Sequence, residues 1–312
     1  MSSDIKYLLP YKNFYKANLH CYSALSDGRL TPEELKEIYK KNGYSILAIT
    51  DKKAVSEKAL CDDDFLTLSA FSFGAVSKDT YPIKSPLFTA ISLNEEPAEI
   101  EEYKGGYDID AISSYIAECK KKGYFTTFCS PARSCLVMPE YLNFSNSDAM
   151  EIMNYSSLMQ GYDEYSAVAY DNFTRRNHRL FALANDGNKN SYPLESKKSD
   201  SFGTYTYVNS DSLDYASIAR SLKEGCFYAS EGPEIKALWI KGDTLNIRTS
   251  EADKIVVYFG RRGSGFLFSN GGVPLTAASF KIGQKDVYVR CIVTDKDGRR
   301  AFTKAYYIDE IM

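Results

Sequence analysis

From residue 31 to residue 50 the polar and apolar positions change from a helical to an extended pattern. Thr31-Pro-Glu-Glu34 carries the residues of a capping box with proline at the first helical position. LKEIYKKNG then runs to a glycine stop at Gly43, and YSILAIT is an apolar run. The same order of helix, glycine and strand returns in DAISSYIAECKKKG (110–123) before YFTTFC, and in SLDYASIARSLKEG (212–225) before CFYAS. Between these, DAMEIMN predicts a strand, DEYSAVAYDNFTRRNH (163–178) an amphipathic helix and RLFALAND a strand. Strands that alternate with helices predict parallel pairing through right-handed crossovers, and their continuous apolar character predicts burial on both faces. The expectation is an α/β domain, barrel-like or doubly wound, over residues 1–230.

Past Gly232-Pro233 the texture changes. ALWIKG, TLNIRTS, KIVVYFG, DVYVRCIVTD and AFTKAYYID are short β-branched and aromatic segments divided by GD, RRGSG, NGG and KDG turns, which predicts a small antiparallel, sandwich-like β domain over 233–312. The polar stretch NKNSYPLESKKSDS (188–201) reads as a solvated loop.

Composition narrows the function classes. The chain has 312 residues, is 44% hydrophobic and 25% charged, and carries a net charge of -3, so nothing global attracts nucleic acid or anionic lipid. No apolar run approaches a membrane span, and the start, MSSDIKYLLPYKNF, lacks the apolar core of a signal peptide, so a cytoplasmic protein is expected. The seven cysteines form no CxxC pair, which argues against both a disulfide framework and a structural zinc cluster. The two histidines, His20 and His178, are too few for a site built from several imidazoles.

In parallel α/β domains, chemistry gathers at the carboxyl ends of the strands. Those ends carry His20, Tyr22 and Asp27; Asp51 and Lys52; Cys129, Ser130 and Arg133; Glu151 and Asn154; and Asn185, Asp186 and Asn188. Here LHCYSALSDG, a helix and ITDK resemble the opening motifs of the polymerase and histidinol phosphatase (PHP) superfamily of metallohydrolases, where the pattern is HxH, SDG and ITDH. SPAR stands where that family has its HP motif, MEIMN where it has GxEIxN, and ANDGN where it has DDxH. RSLKEGCFYASEGPEI is similar to the junction in longer members that carry a C-terminal β domain. The resemblance implies a distorted PHP-type (β/α)7-like barrel, two or three divalent metals at its mouth, and phosphoester hydrolysis.

This chain departs from the pattern at its ligands. Tyr22, Lys52, Ser130 and Asn188 stand where the resemblance places histidines, and Ser72 where it places a glutamate, while His20, Asp27, Asp51 and Asp186 keep the family's residue type. An ammonium cannot donate a lone pair to a metal, so Lys52 is expected to supply the missing positive charge among crowded carboxylates. Alternation along a strand excludes Cys21 and, short of a bulge, Cys129 as substitute ligands. His178 reads as a helix C-terminal cation.

Three functions follow. The first is a pseudoenzyme that needs no cofactor and binds a small phosphate- or carboxylate-bearing ligand through Tyr22, Lys52, Ser130, Arg133, Asn154 and Asn188, with Lys189 nearby. The second is a phosphoesterase with one Mg²⁺ or Mn²⁺ held by His20, Asp27, Asp51 and Asp186. The third is an interaction module in which exposed Tyr258, Phe259, Phe266 and Phe268 of the β domain form a recognition patch.

Overall fold

The computed structural model describes residues 5–10, 13–52, 60–162 and 166–312. In chain order it contains strands β1 (Ile5–Leu9) and β2 (Asn13–Cys21), helix α1 (Pro32–Lys41), and strands β3 (Ile46–Ile49), β4 (Leu66–Gly74) and β5 (Leu87–Ser92). Helix α2 (Ile109–Lys121), strands β6 (Tyr124–Cys129) and β7 (Ala149–Asn154), helices α3 (Tyr155–Met159) and α4 (Ala167–Arg175), and strands β8 (Phe181–Asn185) and β9 (Tyr205–Ser210) follow. Helix α5 (Tyr215–Glu224) then leads to β10 (Phe227–Ser230), β11 (Ile235–Lys241), β12 (Thr244–Ala252) and β13 (Lys254–Tyr258). The chain ends with β14 (Ser264–Phe268), β15 (Leu275–Lys281), β16 (Tyr288–Thr294), β17 (Arg300–Thr303), β18 (Tyr306–Tyr307) and helix α6 (Ile308–Ile311). The start of the helix expected at 163–178 falls on residues 163–165, outside the described residues.

Local signals place the helices. The Thr31 hydroxyl accepts the Glu34 backbone N–H at 3.2 Å while the Glu34 carboxylate accepts that of Thr31 at 2.8 Å, so the capping box forms. Gly225 ends α5 in the left-handed conformation at φ 66°, which costs glycine nothing. Each helix buries a narrow stripe: α1 offers Leu35 and Tyr39, and α5 offers Ile218, Ala219, Ser221 and Leu222.

Strand pairing departs from the all-parallel expectation. The ladders β2–β3–β4 and β6–β7–β8 are parallel, but β4–β5–β6 and β2–β9–β10 are antiparallel. For β4 and β5 the reason is local, since no helix separates them and the chain has no crossover with which to re-enter in parallel, whereas β6 and β10 pair antiparallel with β5 and β9 although α2 and α5 intervene. Beyond β8, the Gly187 N–H donates to the His20 carbonyl at 2.9 Å and the Tyr22 N–H to the Asn188 carbonyl at 3.0 Å, which brings the continuation of β8 beside the end of β2. Ala17, Leu19, Leu68, Phe125, Ala149 and Leu183 pack on the inner side of these strands, with Ile218 and Leu222 of α5 among them. On the outer side, Phe88, Phe128, Met150 and Ile152 meet Ile112 and Ile116 of α2 and Phe173 of α4.

The division expected near residues 230–233 is crossed by backbone hydrogen bonds. N-terminal β1 pairs with β11 in a four-stranded sheet of order β1-β11-β12-β15, and β10 pairs with β17, so the long sheet continues into the C-terminal strands. Between the two sheets lie Leu9, Ile235, Leu238, Ile247, Ile255, Val257, Val289 and Cys291. The strands of this region pair antiparallel, as expected, with β1 added from the other end of the chain.

Candidate functional site at the strand ends

A bulge between Asn18 and Cys21 interrupts the β2–β3 register. The extra residue re-aims the end of the strand. Leu19 stays in the interior and His20 turns to Glu151, while Cys21 packs with Leu35 and Tyr39 of α1. The expected outward placement of Cys21 matches this. Asn18 also faces outward, donating to the Tyr39 hydroxyl at 2.9 Å and to Asn188 Oδ1 at 3.1 Å.

Glu151, fully buried on β7, is the centre of the constellation. Its Oε1 accepts His20 Nδ1 at 2.7 Å and Asn185 Nδ2 at 3.1 Å; its Oε2 accepts the Ser130 N–H at 3.0 Å and Asn154 Nδ2 at 2.9 Å. Burial works to raise this carboxyl, but the His20 imidazole and the amide donors overcome it and hold the group below its ordinary value. On the other edge of the ring, His20 Nε2 lies 3.3 Å from the Tyr22 hydroxyl. Burial also raises the Tyr22 phenol, so it stays protonated and able to donate.

Cys129 belongs to this cluster, against expectation. Among the described residues, His20, Cys129 and Glu151 are the one group of candidate donor atoms lying within 4.8 Å of one another. Cys129 shares the inward side of β6 with Phe125, and Ser130 then adopts φ 46°, so strict alternation stops at the residue where it was applied. The donors nonetheless fit a divalent ion poorly. Tetrahedral coordination at about 2.0–2.1 Å would hold two ligand atoms roughly 3.3 Å apart, whereas His20 and Glu151 approach to 2.7 Å in direct contact. Burial also raises the Cys129 thiol well above its ordinary value, against the thiolate that metals require.

The four residues expected to hold a residual metal, His20, Asp27, Asp51 and Asp186, do not converge. Asp51 accepts the Ser23 N–H at 3.0 Å and the hydroxyls of Ser23 and Ser26, and so ties down the loop after β2. Asp186, fully buried, accepts the Tyr39 hydroxyl at 2.8 Å and the N–H groups of Phe202, Gly203 and Thr204, and burial raises it to about 6. Alternation on β8 turns Asn185 toward Glu151 and Asp186 away from it. Asn188 points the same way as Asp186, its Oδ1 lying 2.9 Å from the Tyr39 hydroxyl and its amide donating to Asn190 and Ser201. Only Asp27 shares the mouth with His20.

The cation at that mouth is Lys189 more than Lys52. Lys189 Nζ lies 2.9 Å from Asp27 Oδ2 and 5.2 Å from the Tyr22 ring centroid, and its hydrogen bond lowers the Asp27 carboxyl. Lys52 is 67% exposed and 3.8 Å from Asp27. Its expected role rested on three crowded carboxylates, but the fold separates them and answers each locally. His20, Tyr22, Asp27, Ser130, Arg133, Asn154 and Lys189 line a cleft of about 390 Å³, and Arg133 and Lys189 also line a neighbouring cleft of about 530 Å³ with Lys198 and Tyr192. The 188–201 loop is tied at its base, because Asp200 accepts the N–H groups of Lys189 and Asn190. His178 lies past the end of α4 against Phe173, and takes no part in this cluster.

Comparison with known proteins then places the fold. No family model and no curated protein sequence matches the chain. Among solved structures it is similar to a two-domain protein from Bacteroides vulgatus described as containing a predicted PHP-like metal-dependent phosphoesterase, with 16% identity, a TM-score of 0.50, and coverage of 96% of this chain and 98% of that one. The chain has a PHP-like fold. Weaker likenesses join this PHP-like chain to a candidate metal-dependent phosphoesterase from Bifidobacterium adolescentis (15% identity, TM-score 0.40, 57% and 88% covered) and to an amidohydrolase from Chromobacterium violaceum (12%, 0.41, 54% and 86%). Among the described residues no helix is long and apolar enough to cross a membrane.

Proposed function

We propose that this PHP-fold chain is a pseudoenzyme that binds a small phosphate- or carboxylate-bearing anion at its mouth without metal. One observation carries the reading: the inward carboxylate that would hold a metal, Glu151, is satisfied by His20, Asn154, Asn185 and the Ser130 N–H. A metal would have to displace donors already in place in a dry site. Arg133, Lys189 and the neutral Tyr22 phenol line this cleft and are donors suited to an anion. Asp27 is a built-in competitor, since it holds Lys189 now.

The test is metal analysis of protein purified without chelator or histidine tag, then titration with Mn²⁺, Zn²⁺ and Mg²⁺ followed by thermal stability and phosphodiester cleavage. The expected result is no stoichiometric metal, no stabilisation and no cleavage, with inorganic phosphate raising Tm. Lys189→Ala should abolish that rise. Asp27→Asn should strengthen phosphate binding about threefold to tenfold, because it removes the competing charge. Two bound metals with turnover would overturn the proposal.

The proximity of His20, Cys129 and Glu151 favours one alternative, a single ion in a mixed nitrogen, sulfur and oxygen site. Such donors select Zn²⁺ over Mg²⁺, so one equivalent of Zn²⁺, lost in Cys129→Ser, would identify it.

A further inference from the structure

Tyr258, Phe266 and Phe268 are exposed on the β domain as expected, whereas Phe259 is buried between the sheets, so the aromatic patch lacks one of its four members. The loop over residues 188–201, expected to be no more than solvated, is instead built into the wall of the mouth. Its base is a buried polar knot. Asn188 Nδ2 donates to Asn190 Oδ1 at 2.7 Å and to Ser201 Oγ at 3.1 Å, and Asn190 Nδ2 donates to Ser201 Oγ at 2.7 Å. Asp200 closes the loop by accepting the Lys189 N–H at 2.8 Å and the Asn190 N–H at 3.1 Å. A compact loop tied in this way is ordered during folding, so a ligand does not have to order it.

Above that base, Lys189, Tyr192 and Lys198 of the loop line the cleft of about 530 Å³, and Arg133, from the segment after β6, lines it with them. Three cations therefore stand against one carboxylate, Asp200, whose two oxygens are committed to N–H groups of the loop itself. Lys198 Nζ lies over the Tyr192 ring, 5.3 Å from its centroid, and among the described residues it has no carboxylate partner. An aromatic face holds an ammonium in place without neutralising it. Arg133 and Lys189 also line the cleft that contains His20 and Tyr22, so the two clefts share their cations at the junction, and Lys198 belongs to the outer one alone.

We propose that this loop forms a second anion subsite at Lys198, and that the ligand of the mouth carries two anionic groups on one short scaffold. The inference rests on the reading of the mouth as an anion site. One group, a phosphate or carboxylate, meets Arg133 and Lys189, and the second reaches Lys198. Once the first group is bound, the second is presented at high effective concentration, so the pair binds more tightly than a single anion with no change in the protein. A ligand with one anionic group would leave Lys198 without an opposite charge.

The experiment is isothermal titration calorimetry of the full chain in metal-free buffer, with inorganic phosphate and with a series of α,ω-alkane bisphosphonates of increasing chain length. One length should bind about tenfold or more tighter than phosphate, with shorter and longer members falling back. Lys198→Ala should abolish that advantage. Lys197→Ala, which removes the same charge one residue away from the cleft lining, should keep it. If phosphate binds but no bisphosphonate improves on it, the second subsite is overturned while the anion reading of the mouth stands. An advantage that is independent of chain length, or one lost equally in Lys197→Ala and Lys198→Ala, overturns it in the same way. If neither phosphate nor any bisphosphonate binds, both readings fall together.

Discussion

Glu151 is answered by donors on every side, and this makes it the most consequential single side chain at the mouth. Replacing it by Gln turns an amide toward groups that themselves donate, and should cost about 3 kcal/mol in urea unfolding at neutral pH. The sign of the pH dependence follows from its lowered value. Its stabilisation is present above its ordinary 4.5 and fades as pH falls through the lower folded value, so the gap between wild type and Glu151→Gln should narrow in acid. Asp186 acts in the opposite sense. Its folded value of about 6 stands above the ordinary 3.8, so the folded chain holds that proton more tightly and stability drains as pH rises through this window, by about 3 kcal/mol in all. Asp186→Asn should flatten that part of the stability profile even though it weakens the contacts to Tyr39 and residues 202–204. Glu151 was visible in the sequence as a carboxylate at a strand end. That histidine and amides, rather than a cation, would satisfy it was not, because the partners come from three other strand ends.

The bulge in β2 and the turn at Ser130 decide which side chains face inward. Alternation read correctly for Cys21 and failed for Cys129, since the excursion of Ser130 to positive φ is set by how the chain leaves β6 and leaves no mark in residue spacing. The loop after β2 is equally constrained. A Cβ on Gly28 would come within 2.1 Å of the Tyr22 carbonyl oxygen, a backbone atom with no room to yield. Gly28→Ala should therefore destabilise by about 2 kcal/mol and shift Tyr22 and Asp27 enough to weaken phosphate binding, read by calorimetry against the unfolding curve. Thr31→Ala, which removes one half of the capping box, should cost about 1 kcal/mol and leave phosphate binding unchanged. Helices with caps and glycine stops were legible because those signals act within a turn of chain. Strand β5 was not, since LFTAIS has no local partner and gains its place only by pairing between β4 and β6.

The N-terminal and C-terminal regions hold together through one buried ion pair as well as through shared sheets. Arg290 of β16 is buried and donates to Asp171 of α4 at 3.1 Å and 2.8 Å. Removing the carboxylate would strand a guanidinium in a dry interface, so Asp171→Ala should cost about 3–5 kcal/mol. With β1 paired to β11 and β10 to β17, calorimetry should show a single cooperative transition, and a chain cut after residue 230 should fail to give soluble folded protein. The sequence by itself determined helices α1, α2, α4 and α5, the change of texture near Gly232 and the PHP-like order of strand-end motifs, because each is written within a short stretch. Tertiary structure alone decided that β1 joins the far end of the chain, that β4 to β6 run antiparallel, and that Asp51 and Asp186 turn away while Glu151 and Cys129 turn in. These outcomes depend on register between distant strands, and a shift of one position moves a side chain to the opposite face.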